Sequence, residues 1–203
     1  MEFYEIHPVN PQERLILKAV EIMRNGGVVI YPTDTVYGIG CDIYNSEALE
    51  RILSIKGDTM TKFLSFVVPD LKDISKYAKV SDKAFKIIKR AIPGPYTFIL
   101  PASKEVPKKL WSKRNTVGIR VPDNKIAIML AKELGNPIFS TSVTNRKGEI
   151  ITDPTEIKIS MQNQVDLMLS QGILPNKVST VVDLTEDEIQ IIREGAGDTS
   201  IFY

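Results

Sequence analysis

Eight short runs rich in Val, Ile, Phe and Tyr recur along the 203-residue chain, with segments of helical period between many of them. Runs of four to six residues have strand length, and helices set between strands require a sheet with helices packed on it. Strands are expected at Phe3–His7, Val28–Tyr31, Leu64–Val68, Tyr96–Pro101, Thr116–Val121, Ile138–Ser142, Ser179–Asp183 and Ile189–Arg193. Asn10-Pro11 opens a first helix, with Pro at the first helical position and Ile16, Ala19, Val20 and Met23 on one face, ending near Asn25-Gly26-Gly27. Ser46–Ile55, Ser81–Ala91 and a helix capped by Asp123 that runs to Leu134-Gly135 follow. Asp153-Pro154-Thr155-Glu156 resembles a capping box opening a fifth, with Asp in place of the usual Ser or Thr. The last two strands succeed each other without a helix, which favours a mixed sheet over a purely alternating array. The expected fold is α/β: a single domain over residues 1–203, built on a twisted, mixed or largely parallel sheet with flanking helices.

His7 is the only histidine and Cys41 the only cysteine. That pair cannot supply a zinc, haem or iron–sulfur site, a histidine-based triad or an internal disulfide, so no metal site is expected and a reducing cytoplasm fits. MEFYEIHPVN lacks the basic and apolar regions of a signal peptide, and no run of apolar residues reaches the length of a membrane span. GxGxxG and GxxxxGK[ST] are both absent. Any chemistry must therefore run on Lys, Arg, Thr, Ser, Asp and backbone amides. The net charge is +1, but its distribution is uneven: Lys72 to Arg114 holds twelve bases and three acids, Glu149 to Asp198 ten acids and three bases. This leaves two readings open, solvated helix faces or a one-sided basic surface with Tyr77, Tyr96 or Trp111 available for stacking.

Several expected strands end in polar groups. YPTDTVYGIG places Thr33, Asp34 and Thr35 just past the strand at Val28–Tyr31, where α/β sheets bind ligands, and Gly38 and Gly40 either allow close backbone approach or serve a turn. Lys56 ends the second helix and Lys62 leads into the next strand; they either compensate a helix dipole or hold a polyphosphate. Arg120 is a charge inside an apolar strand, paired with a carboxylate or reserved for an anion. Ser140-Thr141-Ser142 end another strand, with Ser140 and Ser142 on one face and Thr141 on the other. Ser179-Thr180 begin a strand and Arg193 ends its successor. Taken together, hydroxyls and cations at strand ends, without imidazole or thiolate, favour an anion-binding cleft for nucleotide or polyphosphate.

The segments GGVVIYPTDTVYGIGCD, SIKGDTMTKFLSF, PGPYTFIL, VGIRVP, PIFSTS, STVVDL and IIREGAG occur in that order between Gly26 and Gly197. In them the chain resembles the YrdC/YciO family, which includes threonylcarbamoyl-AMP synthase, and its N-terminal region looks more like the YciO branch. The resemblance implies a YrdC-like domain around a basic concave cleft. It implies one of two functions. The first is synthesis of L-threonylcarbamoyladenylate from L-threonine, bicarbonate and ATP with release of pyrophosphate, for N6-threonylcarbamoyladenosine modification of tRNA. The second is YciO-type binding of double-stranded RNA or nucleotide with weak or no synthase activity. By the same resemblance Thr33, Thr35, Arg120, Ser140 and Thr180 contact threonine; Lys56, Lys62, Thr116, Ser142 and Arg193 contact nucleotide; and Lys56 is the catalytic candidate. Mg²⁺ enters only with ATP, no tightly bound cofactor is implied, and the site is cytoplasmic with no membrane partner. The sequence departs from the family pattern at Lys56-Gly57-Asp58, where the family has Lys-x-Arg, and at Ser142-Val143-Thr144, where it has Ser-x-Asn.

Overall fold

The computed structural model describes residues 1–57, 65–107, 110 and 115–203. Ten strands form one sheet: β1 (Glu2–Glu5), β2 (Val29–Tyr31), β3 (Gly38–Asp42), β4 (Ser65–Val67), β5 (Tyr96–Pro101), β6 (Thr116–Arg120), β7 (Ile138–Ser142), β8 (Leu167–Ser170), β9 (Thr180–Asp183) and β10 (Gln190–Arg193). Their order across the sheet is β1-β8-β2-β3-β7-β4-β6-β5-β9-β10. The sheet is mixed rather than largely parallel. β1 and β2 flank β8 in parallel, as β4 pairs with β6 and β5 with β9, and the other five pairings are antiparallel.

Among the described residues six helices, α1 (Glu13–Arg24), α2 (Ser46–Lys56), α3 (Leu71–Tyr77), α4 (Asp82–Ala91), α5 (Lys125–Leu134) and α6 (Pro154–Met161), accompany this sheet, with a 3-10 turn at Thr199–Phe202. Each strand points alternate side chains to opposite faces, and the strands sort accordingly. Val28, Ile30, Ile39, Cys41, Phe66, Phe98, Val117, Ile119, Phe139 and Val182 join one core with residues of α2, α3, α4 and α6. Val29, Tyr31, Val67, Ile138, Leu167 and Leu169 join a second, beneath the apolar stripes of α1 (Leu15, Ile16, Ala19, Val20, Met23) and α5 (Ile126, Ala127, Leu130, Ala131, Leu134). At roughly 1.5–3 kcal/mol for each fully buried large apolar side chain, these two layers carry the fold.

The helix ends depart from expectation in two places. α1 begins at Glu13 behind Gln12, so Pro11 lies outside the helix instead of at its first position. α5 is capped by Asn124, whose side chain accepts from the amides of Ile126 and Ala127; the Asp123 amide instead donates to Asp34 at 3.0 Å. Ser81 caps α4 and Asp153 caps α6 as their side chains predict, each accepting from an amide in the first turn. Strands β3 and β8 and helix α3 were not anticipated, and Leu64 of the expected third strand lies outside the described residues.

Candidate functional site

One face of the sheet packs against α2, α3, α4 and α6. Among the described residues the helices on the other face are α1 and α5, and beside them that face is floored by small and polar residues. The alternation that buries Ile39 and Cys41 of β3 turns Gly38 and Gly40 to this face. The same parity presents Thr116, Gly118 and Arg120 on β6, Ser140 and Ser142 on β7, Ser65 on β4 and Thr97 on β5. A partly open pocket of about 40 Å³ lies there. Thr33, Ser65, Arg120, Ser140, Ser142 and Arg193 line it together with Thr97, Ser179 and Gly38.

Arg120 is its central cation, 8 % exposed. Its Nη2 pairs with the Asp34 carboxylate and donates to Thr35 Oγ1 at 2.7 Å and, at the limit of a hydrogen bond, to Thr33 Oγ1 at 3.5 Å. Its Nε is buried without a hydrogen-bond acceptor among the described residues. An unmet donor on a buried guanidinium costs free energy unless an acceptor arrives, which suits an anionic ligand in the pocket. Arg120 is thus paired with a carboxylate, and it also borders the cavity.

Thr33 and Thr35 are occupied within this scaffold. Thr33 Oγ1 donates to the Val36 carbonyl at 2.6 Å and accepts from the Thr35 amide at 3.1 Å, and the two hydroxyls are 3.1 Å apart. Thr33 borders the pocket, while Thr35 stands behind Arg120. Their bonds fix the arginine as much as they offer contacts to a ligand.

Arg193 enters from β10. Its Nε and Nη2 donate to the Ser179 carbonyl at 3.1 and 2.9 Å, and Nη2 reaches Ser179 Oγ at 3.2 Å. Burial, and secondly the nearby Arg120 charge, hold its pKa below the usual arginine value. Two guanidiniums that repel each other across a common space make that space attractive to an anion. Ser179 Oγ in turn lies 2.8 Å from Thr97 Oγ1.

Thr180 does not line this pocket. It shares the parity of Val182, which is in the core, and its Oγ1 donates to the Gly197 carbonyl at 2.8 Å and accepts from the Gly195 amide at 3.0 Å. The hydroxyl at this strand start that borders the cavity is Ser179. Thr116 shares the face of Arg120 but sits four residues away, about 13 Å along β6, so only an extended ligand spans the two.

Lys56, at the end of α2, is 4 % exposed, with Nζ donating to the Ser142 carbonyl at 3.0 Å and to Thr144 Oγ1 at 2.5 Å. Burial lowers its pKa to about 8. It borders a second, wider cavity of about 940 Å³ with Gly57, Thr144, Asn145, Arg146 and Lys147. Ser142 thus stands between the two cavities, lining the small one and binding Lys56 through its carbonyl. Lys62 and Asp58 lie outside the described residues. Among the described residues no group of His, Cys, Asp and Glu could hold a metal ion, and no helix is long and apolar enough to cross a membrane.

Sequence reading noted Asp34 and Ser179 as polar groups at strand ends without giving them a contact, and it did not single out Tyr31 or Thr97. Parity was the available signal: Thr97 alternates with the apolar Tyr96 and Phe98, as Arg120 does with Ile119 and Val121.

The family model Sua5_yciO_yrdC, described as "Telomere recombination", matches residues 21–195. The crystal structure of E. coli YciO is 46 % identical, superposes with a TM-score of 0.94 and covers 100 % of both chains. A threonylcarbamoyl-AMP synthase of Coxiella burnetii is 32 % identical over 166 residues, 81 % of this chain and 89 % of the synthase. P. abyssi Sua5, crystallised with L-threonine, is 27 % identical with a TM-score of 0.87, over 96 % of this chain and 58 % of Sua5.

Proposed function

The chain belongs to the Sua5/YciO/YrdC family, and on that premise we propose that it is a threonylcarbamoyl-AMP synthase-like protein, acting on L-threonine, bicarbonate and ATP. The observation that carries the reading is the pocket around Arg120: a buried guanidinium with an unmet donor, set among hydroxyls, in a chain that superposes on a protein crystallised with L-threonine.

In this reading the threonine carboxylate takes the open edge of Arg120, with Ser140 beside it. The threonine amine attacks bicarbonate, and loss of water leaves a carbamate. A carbamate oxygen then attacks the α-phosphorus of ATP, the bond to the bridging oxygen breaks, and pyrophosphate leaves with its Mg²⁺. Such a transfer needs position and charge neutralisation more than covalent help from the protein. Arg193 faces the carbamate and nucleotide end. Lys56 and the exposed Arg146 and Lys147 offer cations to the phosphates from the wider cavity. Ser142, between the cavities, is where the two substrates meet.

The test is threonine-dependent pyrophosphate release from ATP by the pure protein with bicarbonate and Mg²⁺. Its absence, with ATP binding retained, defeats the synthase reading. One observation favours a second reading, binding of double-stranded RNA or tRNA. Lys72 and Lys76 on α3 and Lys83, Lys86, Lys89 and Arg90 on α4 are all exposed, against the exposed acids Asp70 and Asp82 and the half-buried Asp73. Duplex RNA affinity measured against salt decides it, since contacts to phosphates give a steep fall and a flat response excludes them.

A further inference from the structure

The sheet face that floors the pocket contains an aromatic residue with no place in the reading above. Tyr31 ends β2, is fully buried, and its hydroxyl donates to Ser140 Oγ at 2.7 Å across 109 residues of sequence. The ring reaches that far because β3 presents glycines beneath it. A Cβ on Gly38 would lie 3.2 Å from Tyr31 Cζ and 3.0 Å from Ser140 Oγ, and one on Gly40 would lie 3.1 Å from Tyr31 Cε1. The two glycines thus clear a channel through which a core tyrosine touches a pocket hydroxyl.

A serine hydroxyl has one hydrogen and two lone pairs. With the Tyr31 hydrogen on one lone pair, the hydrogen of Ser140 is left to donate toward the pocket that Ser140 lines with Arg120 and Ser142. We propose that Tyr31 is a positioning residue that fixes Ser140 as a hydrogen-bond donor to the side-chain oxygen of the bound amino acid, so that the pocket selects a β-hydroxy amino acid over its deoxy analogue. The inference rests on the threonine reading of the pocket. Burial pushes the Tyr31 phenol up to about 12, so it stays a donor throughout the working range of pH. A pocket built to donate to an oxygen discriminates against a ligand that lacks it, because its polar group is then left unmet.

The experiment compares binding of L-threonine and L-2-aminobutyrate, which lacks only the hydroxyl, by calorimetry on the full chain, on Tyr31→Phe, on Ser140→Ala and on the double variant. Tyr31→Phe is expected to lower the preference for threonine by about five- to tenfold while 2-aminobutyrate binds within about twofold of the unsubstituted protein. Ser140→Ala is expected to lose the same preference, and the double variant no more than either alone. A general loss of packing would weaken both ligands together and leave their ratio unchanged, and an unchanged ratio in Tyr31→Phe overturns the assignment. If the unsubstituted chain binds no threonine, the reading of the site falls and takes this assignment with it. Threonine binding with an unaltered preference overturns this assignment alone.

Discussion

Arg120 and Asp34 form an ion pair in which neither side chain is more than about a tenth exposed, the arginine 10 % and the aspartate 9 %. Removing one partner of such a pair leaves a buried charge without its counterion, and the cost exceeds what the pair itself contributed. Asp34→Ala is therefore expected to lower the unfolding free energy by about 3 kcal/mol. Asp34→Asn, which keeps an acceptor, is expected to lower it less. Urea denaturation of the two variants checks the order.

Lys56 makes stability depend on pH in a known direction. Its folded pKa, about 8, lies below the ordinary lysine value of 10.5. Between those two values the unfolded chain holds more protons than the folded one, so stability rises with pH there, and below about 8 the full penalty of the buried charge applies. Relative to Lys56→Met, the unsubstituted protein is expected to gain unfolding free energy from pH 8 to pH 10. Denaturation of both proteins at several pH values gives the difference, in which groups common to both cancel. A flat difference would contradict the buried state of this amine.

Gly40→Ala is expected to destabilise the protein by about 2 kcal/mol. The added carbon would lie 2.6 Å from Ile138 Cγ2, 2.7 Å from the Phe139 carbonyl and 3.1 Å from the Tyr31 ring, and the carbonyl belongs to a paired strand that cannot withdraw. The midpoint of chemical unfolding, compared at constant slope, measures it.

Thr180→Val removes a hydroxyl that holds both the Gly195 amide and the Gly197 carbonyl while keeping the volume. Two buried groups lose their partner, which is worth about 2 kcal/mol in all. Hydrogen exchange is expected to quicken at the Gly195 amide. Ser179→Ala, by contrast, is expected to leave that amide protected and to act on the pocket through Arg193 and Thr97.

These assignments show where sequence reading succeeds and where physics hides the answer. Hydrophobic runs located eight strands, and seven of them agree with the structure to within one residue at each described end. β3 was hidden by its own composition. Gly38 and Gly40 read either as turn formers or as points of close approach; neither has a positive φ, and they are small because Tyr31, Ser140 and the Phe139 carbonyl crowd that face. The short β8, Leu-Met-Leu-Ser, buries both faces and so shows no alternation to find. In the site, residue type was legible before direction. Arg120, Ser140, Ser142, Thr33 and Arg193 do converge, but which of Ser179 and Thr180 faces the cavity is set by a parity that only Val182, as a core residue, discloses. The Asp34 pairing joins residues 86 apart and leaves no local trace.

The position of β1 has a consequence for how this chain comes into being. Its hydrogen-bonded neighbour is β8, so Glu2 meets Leu167 and Glu5 meets Ser170. During synthesis, which runs from the N-terminus, β1 is held without its partner until the more than 160 residues between Glu5 and Leu167 have been made. Closing so long a loop costs chain entropy before any pairing repays it. β1 is thus among the last strands that can take its place, and the short charged sequence Glu-Phe-Tyr-Glu suits a segment that must wait in water.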